Sequence, residues 1–213
     1  MSRLIKFLTK NKKLIVFLFF LAYFLNLLLL LMGWNWFATQ KGPLLYNIGV
    51  VYGRLAVIFY SITLLPGIIR RFQIKESVLY QTQTILMLFR RQIGILVFFT
   101  VLIHYMFLRG FRVLSFGLPS ILPTFEIVGF IAFQLMFLLF ITSNDWSVSK
   151  LKKWWIYLHR TTYVIVFLIF LHILLAEFSL QRTNKIFLIT AFSVLFLEWA
   201  SLIYSYLIKK SKI

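Results

Sequence analysis

Three histidines, His104, His159 and His172, are the side chains in this sequence best suited to chemistry. All three fall within or at the mouth of long apolar runs. A histidine inside a membrane is costly, so it turns toward a partner, and neutral imidazole is a common ligand of haem iron. The chain has no cysteine. That excludes disulfides, thiolate-held iron–sulfur clusters and covalent c-type haem, so a redox centre here must be held by nitrogen or oxygen. One such histidine alone is more often a hydrogen-bonding residue between helices. Three out of three favour a cofactor.

Depth separates the three. His104 lies five residues before Arg109, and His172 five before Glu177, each the first charge beyond its run. If the two runs cross in the same direction, the imidazoles sit at nearly equal depth and could clamp a six-coordinate haem iron. His159 precedes His172 by thirteen residues, or ~19.5 Å along a helix, which is the level of a second, inner haem. Thirteen steps of ~100° leave the two side chains about 140° apart. The matching positions before His104 are Arg90 and Arg91, not histidine. One haem is predicted; a second on His159 is an open question, with an interfacial histidine beside Arg160 as the alternative.

The elements that position these residues follow from composition. Of 213 residues, 62% are hydrophobic and 13% charged. No soluble domain of this size can hide so much apolar surface, whereas a run of ~20 apolar residues crosses a ~30 Å hydrocarbon core. Such runs occupy approximately 14–34, 47–68, 92–109, 125–143, 155–177 and 185–208. Backbone groups in lipid must be satisfied within the segment, so the runs are helices. The fold expected is an all-α integral membrane protein, a six-helix transmembrane bundle forming a single domain over 1–213. The first run is too long for a cleaved signal peptide and lacks a small-residue cleavage site.

Charge sets the orientation. Seventeen of the 23 Lys and Arg residues fall on one side: five at the N-terminus, five between Arg70 and Arg91, four between Lys150 and Arg160, and three at the C-terminus. Lys41, Arg54, Arg109, Arg112, Arg182 and Lys185 fall on the other. By the positive-inside rule both termini are cytoplasmic. The net charge of +18 then reads as a topology signal and as contact with anionic lipid rather than as a nucleic-acid surface. Trp34, Trp36, Trp146, Trp154 and Trp155 mark the span ends. The stretch 73–89 mixes Val78, Leu79, Ile85, Leu86 and Leu88 with polar residues, as an interfacial helix or docking surface would.

Other polar groups carry weaker signals. Arg109 and Arg112 could meet haem propionates or simply be solvated. Arg54 and Glu198 could face the bundle as partners, although their depths do not match. Gly53, Gly94 and Gly129 could admit a flat macrocycle or ordinary close helix packing. Glu126 and Asp145 look structural. No Gly-rich phosphate-binding turn follows a strand, so the chain has no flavin or nicotinamide domain of its own. A haem-free transporter would call for paired broken helices or a charged midplane path, and neither is evident. A structural or assembly protein is the other alternative.

Several stretches together resemble the ferric reductase-like transmembrane domain, and within it the haem-binding membrane subunits of bacterial methionine sulfoxide reductase systems. They are Gly53 with Thr63-Leu64-Leu65-Pro66, Arg90-Arg91-Gln92-Ile93-Gly94-Ile95 leading to Ile103-His104, Thr142-Ser143, Trp155 to Arg160 with Tyr163, and His172. The likeness covers roughly 45–180. It implies a six-helix bundle in a prokaryotic cell (inner) membrane that binds haem b non-covalently. Electrons would come from a cytoplasmic flavin reductase or membrane quinol and leave for an extracytoplasmic acceptor such as a periplasmic methionine sulfoxide reductase. It further implies His104 and His172 as ligands of the outer haem and His159 as the histidine of any second haem. FMN enters by this likeness alone. The chain departs from the family in its basic composition and in Leu65-Pro66-Gly67, where Thr-Pro-Leu is more usual.

Overall fold

The computed structural model describes residues 3–39, 41–74, 76–119, 121–179 and 185–210. Of the charges used for topology, Lys75, Arg182 and Lys212 lie outside these. The elements are α1 (Arg3–Lys10), α2 (Lys12–Ala38), α3 (Gly42–Arg71), α4 (Ser77–Tyr105), a π-helical turn (Met106–Gly110), α5 (Phe111–Phe116), α6 (Thr124–Ile141), α7 (Asp145–Leu151), α8 (Lys153–Arg160), α9 (Thr162–Ser179) and α10 (Lys185–Lys210). Among them are six helical runs long and apolar enough to cross a membrane. The protein is a multi-pass membrane protein.

The surface is what lipid requires. Along α2, Phe17, Phe20, Phe24 and Leu31 are 55–68% exposed, an arrangement water would penalise and hydrocarbon does not.

Two spans differ from expectation. The third runs without interruption from Val78 to Phe116, so 73–89 is not a separate interfacial helix. No proline interrupts that stretch, and helix propagation continues through its polar residues. At ~1.5 Å per residue such a helix is longer than the ~30 Å core, so part of it must extend beyond the core. The fifth span is interrupted at Thr161, between α8 and α9. Thr161 and Thr162 return their hydroxyls to the carbonyls of Leu158 (2.7 Å) and His159 (2.6 Å). His159 and His172 therefore do not share one ideal helix.

The chain forms two compact units, Met1–Pro66 with Glu76–Ser120, and Gly67–Lys75 with Ile121–Ile213. In the first, α2 packs on α4. There the Tyr23 hydroxyl donates to the Gln92 carbonyl at 2.8 Å, and its ring stacks on Phe99. Leu45, Ile103, Phe107 and Phe111 form its core, with Trp36, Ile48 and Tyr52 packed against them. In the second, α6 packs along α9, and α9 along α10, around Ala132, Met136, Ile165, Val166 and Ile173. The small residues Gly129 and Ala132 allow the close approach that helices in lipid rely on.

Candidate haem-binding site

His104 occupies the last turn of α4 in the first unit. Its Nδ1 lies 2.8 Å from the carbonyl oxygen of Gly49 on α3. A carbonyl can only accept, so Nδ1 carries the proton, and the basic nitrogen of the neutral ring is Nε2. His172, on α9 in the second unit, repeats the arrangement, with Nδ1 2.7 Å from the carbonyl of Phe125 on α6. An imidazole whose Nδ1–H is held by a backbone carbonyl is the usual state of a metal-ligating histidine. It fixes the tautomer and the ring plane and makes Nε2 a stronger donor.

His159 is built differently. Its ring stacks on Trp155 with centroids 4.0 Å apart, and its Nε2 lies 3.3 Å from the Thr142 hydroxyl. That hydroxyl also lies 2.7 Å from the Leu138 carbonyl and 3.3 Å from that of Leu139; with its proton on the nearer carbonyl, it accepts from an Nε2–H of His159. Trp155 Nε1 donates to the Thr142 carbonyl at 2.9 Å. Together the two rings clamp the C-terminal end of α6 to α8. His159→Ala is expected to lower stability by about 1–2 kcal/mol, the worth of one half-buried hydrogen bond and a stacked ring. Thermal unfolding in detergent reads the loss, and bound haem is expected to stay at the wild-type level.

Among the described residues, no three His, Asp or Glu side chains come together to hold a bare metal ion. A haem suits this donor set better. Its macrocycle would supply most of the iron's donors, so the protein would need to contribute only imidazoles such as those of His104 and His172. The chemistry and tautomers of His104 and His172 fit that group.

The π-helical turn that begins two residues after His104 was not legible in the sequence. Such turns insert an extra residue into a helix and are common at functional sites. Arg109 lies within it, partly buried, and Arg112 follows on α5, exposed. Arg112 also lines a cavity of about 430 Å³ with Phe37, Leu45, Tyr46, Phe107 and Leu108. Arg54 is exposed on α3.

Glu198 has a partner that sequence reasoning did not name. In the second unit the Arg71 guanidinium pairs with Glu198 through Nη2. Nε donates to the Ser201 hydroxyl at 2.8 Å, and Nη1 to the Tyr163 hydroxyl at 3.1 Å. Glu198 and Ser201 are 1% and 0% exposed. An acid inside an apolar run must find a cation, and that rule was the available signal. Arg71, which by charge pattern marks topology, is that cation.

The family described as ferric reductase like transmembrane component matches residues 52–170, more than half of the chain. The chain belongs to that family. Its similarity to the protein-methionine-sulfoxide reductase heme-binding subunit MsrQ of Brucella anthropi is 34% identity over 82 residues, 37% of each chain. The proteins of the same description from Brucella ovis and Brucella canis are 33% identical over 85 residues, 38% of this chain and 39% of theirs. The chain thus matches well under half the length of these curated relatives. No solved structure matches it.

Proposed function

We propose that this protein is a transmembrane electron-transfer component that binds haem b through Nε2 of His104 and Nε2 of His172. The observation that carries the reading is the repeated Nδ1-to-carbonyl hydrogen bond, which prepares both imidazoles as ligands. When bound, the haem supplies one-electron chemistry at iron. The chain's own part would be to hold the His104 and His172 imidazoles in orientation and to keep water away with apolar side chains. Arg109, in the turn beyond His104, supplies positive charge for a propionate. His159 is assigned to the α6–α8 corner rather than to a second iron, because its Nε2 is engaged with Thr142 and its ring is stacked on Trp155.

By charge, both termini are cytoplasmic. Electrons enter from a cytoplasmic flavoprotein or membrane quinol and leave to an extracytoplasmic acceptor; the heme-binding MsrQ relatives point to a methionine sulfoxide reductase as that acceptor. Proteoliposomes containing the haem-loaded chain and trapped ferricyanide test the transmembrane step. External dithionite is expected to bleach the trapped acceptor at least tenfold faster than in liposomes carrying the haem-depleted His104→Ala chain. Equal rates would refute the conduit.

A further inference from the structure

Gly53 and Gly129 stand in equivalent places. A Cβ built on Gly53 would lie 2.5 Å from Nδ1 and 2.7 Å from Cε1 of His104; one built on Gly129 would lie 2.6 and 2.8 Å from the same atoms of His172. Carbon atoms pack at roughly 3.5–4.0 Å, so neither position has room for a side chain. Nor can the obstructing atoms yield easily. They belong to rigid rings held at Nδ1 by the carbonyls of Gly49 and Phe125.

Each glycine lies four residues after the carbonyl its histidine uses. That spacing has a physical reason. A helical carbonyl points toward the residue four positions on, whose N–H it already accepts, and it keeps a second lone pair. A side chain at that later position tilts back toward the helix N-terminus and covers the preceding turn. Only glycine there leaves the carbonyl open to a second donor from a crossing helix. The same three-part device, carbonyl, glycine four residues later and imidazole in the notch, is present once in each unit. Gly94 shows the contrast: it shares α4 with His104, and a Cβ there meets nothing within 4 Å.

We propose that Gly53 and Gly129 are positioning residues, each uncovering the backbone carbonyl that sets the tautomer and depth of the histidine seated against it. The inference rests on His104 and His172 as haem ligands. Gly53→Ala and Gly129→Ala push the ring out of its notch and break the Nδ1–H bond. In full-length protein purified from haem-replete cells, each variant is expected to convert at least half of the low-spin haem to high-spin by absorption and electron paramagnetic resonance. The six-coordinate remainder is expected to show a raised midpoint potential, since the ligand loses donor strength. Gly94→Ala is expected to match wild type in both readouts. Low-spin spectra and potentials unchanged in both Gly53→Ala and Gly129→Ala would overturn the proposal.

A second measurement needs no variant to fold. Nitrogen-15 resonances of the wild-type histidines, taken after haem extraction in lipid, are expected to show Nδ1–H tautomers for His104 and His172. Nε2–H tautomers at those two residues would also overturn the proposal. A wild-type protein that never binds haem would defeat the ligand reading, and the tautomers would then decide the notch by themselves.

Discussion

His104→Ala and His172→Ala are each expected to abolish the low-spin haem spectrum and to lower haem retained through purification by at least about tenfold. Perturbing groups that merely orient a metal ligand costs about 10–100-fold in affinity, and removing the ligand itself must cost no less. Each variant also removes an aromatic ring from a seat between two helices, so fold and coordination have to be told apart. Circular dichroism and size exclusion monitor the fold. Added imidazole, small enough to enter the space left by the side chain, is expected to restore six-coordination in part. His159→Ala completes the set, because its phenotype should be a lower unfolding temperature with an unchanged spectrum. If instead His159→Ala lost the haem and His104→Ala kept it, the tautomer assignment made from Thr142 and Gly49 would be wrong.

Glu198→Ala is expected to destabilise the second unit by about 3–5 kcal/mol, the cost of leaving one member of a buried ion pair without its counterion. Arg71 would keep its bonds to Ser201 and Tyr163 but lose the carboxylate it pairs with, at a site that is 10% exposed. Arg71→Ala is expected to cost a similar amount for the converse reason. The double variant Arg71→Met with Glu198→Met is the informative one. Well-packed apolar replacements of a buried pair are often neutral or stabilising, so most of the single-variant loss should be recovered. Equilibrium unfolding in mixed detergent micelles measures all three. Additive losses would mean that the two residues act independently, contrary to the pairing.

The two kinds of feature differed in how far the sequence disclosed them. The spans were legible because the penalty for backbone and charge in lipid acts residue by residue, and runs such as 125–143 carry it in composition alone. The length of the third span was not, since nothing in 77–91 except polarity argues for a stop and polarity does not stop a helix. Pro66 lies inside α3, as the run 47–68 has it, its missing N–H tolerated within a membrane helix. At the site, His104 and His172 stood out by residue type and matched position. Their acceptors could not be read, because a backbone carbonyl has no sequence signature. Only the glycine four residues later marks it, and that meaning emerges once the crossing helix is placed. His159 shared the residue type and the apolar setting of the other two. What separates it is the Thr142 hydroxyl, seventeen residues away in sequence, together with a helix break at Thr161 that composition did not announce. Glu198 called for a cation, but choosing Arg71 over Arg54 required the register of three helices.

The most direct test of the account is the absorption spectrum of the purified full-length protein from haem-replete cells, oxidised and dithionite-reduced, with pyridine haemochrome quantitation on the same sample. The account predicts a low-spin, six-coordinate b-type spectrum and one haem per chain. A colourless protein, folded by circular dichroism and monodisperse, would contradict it.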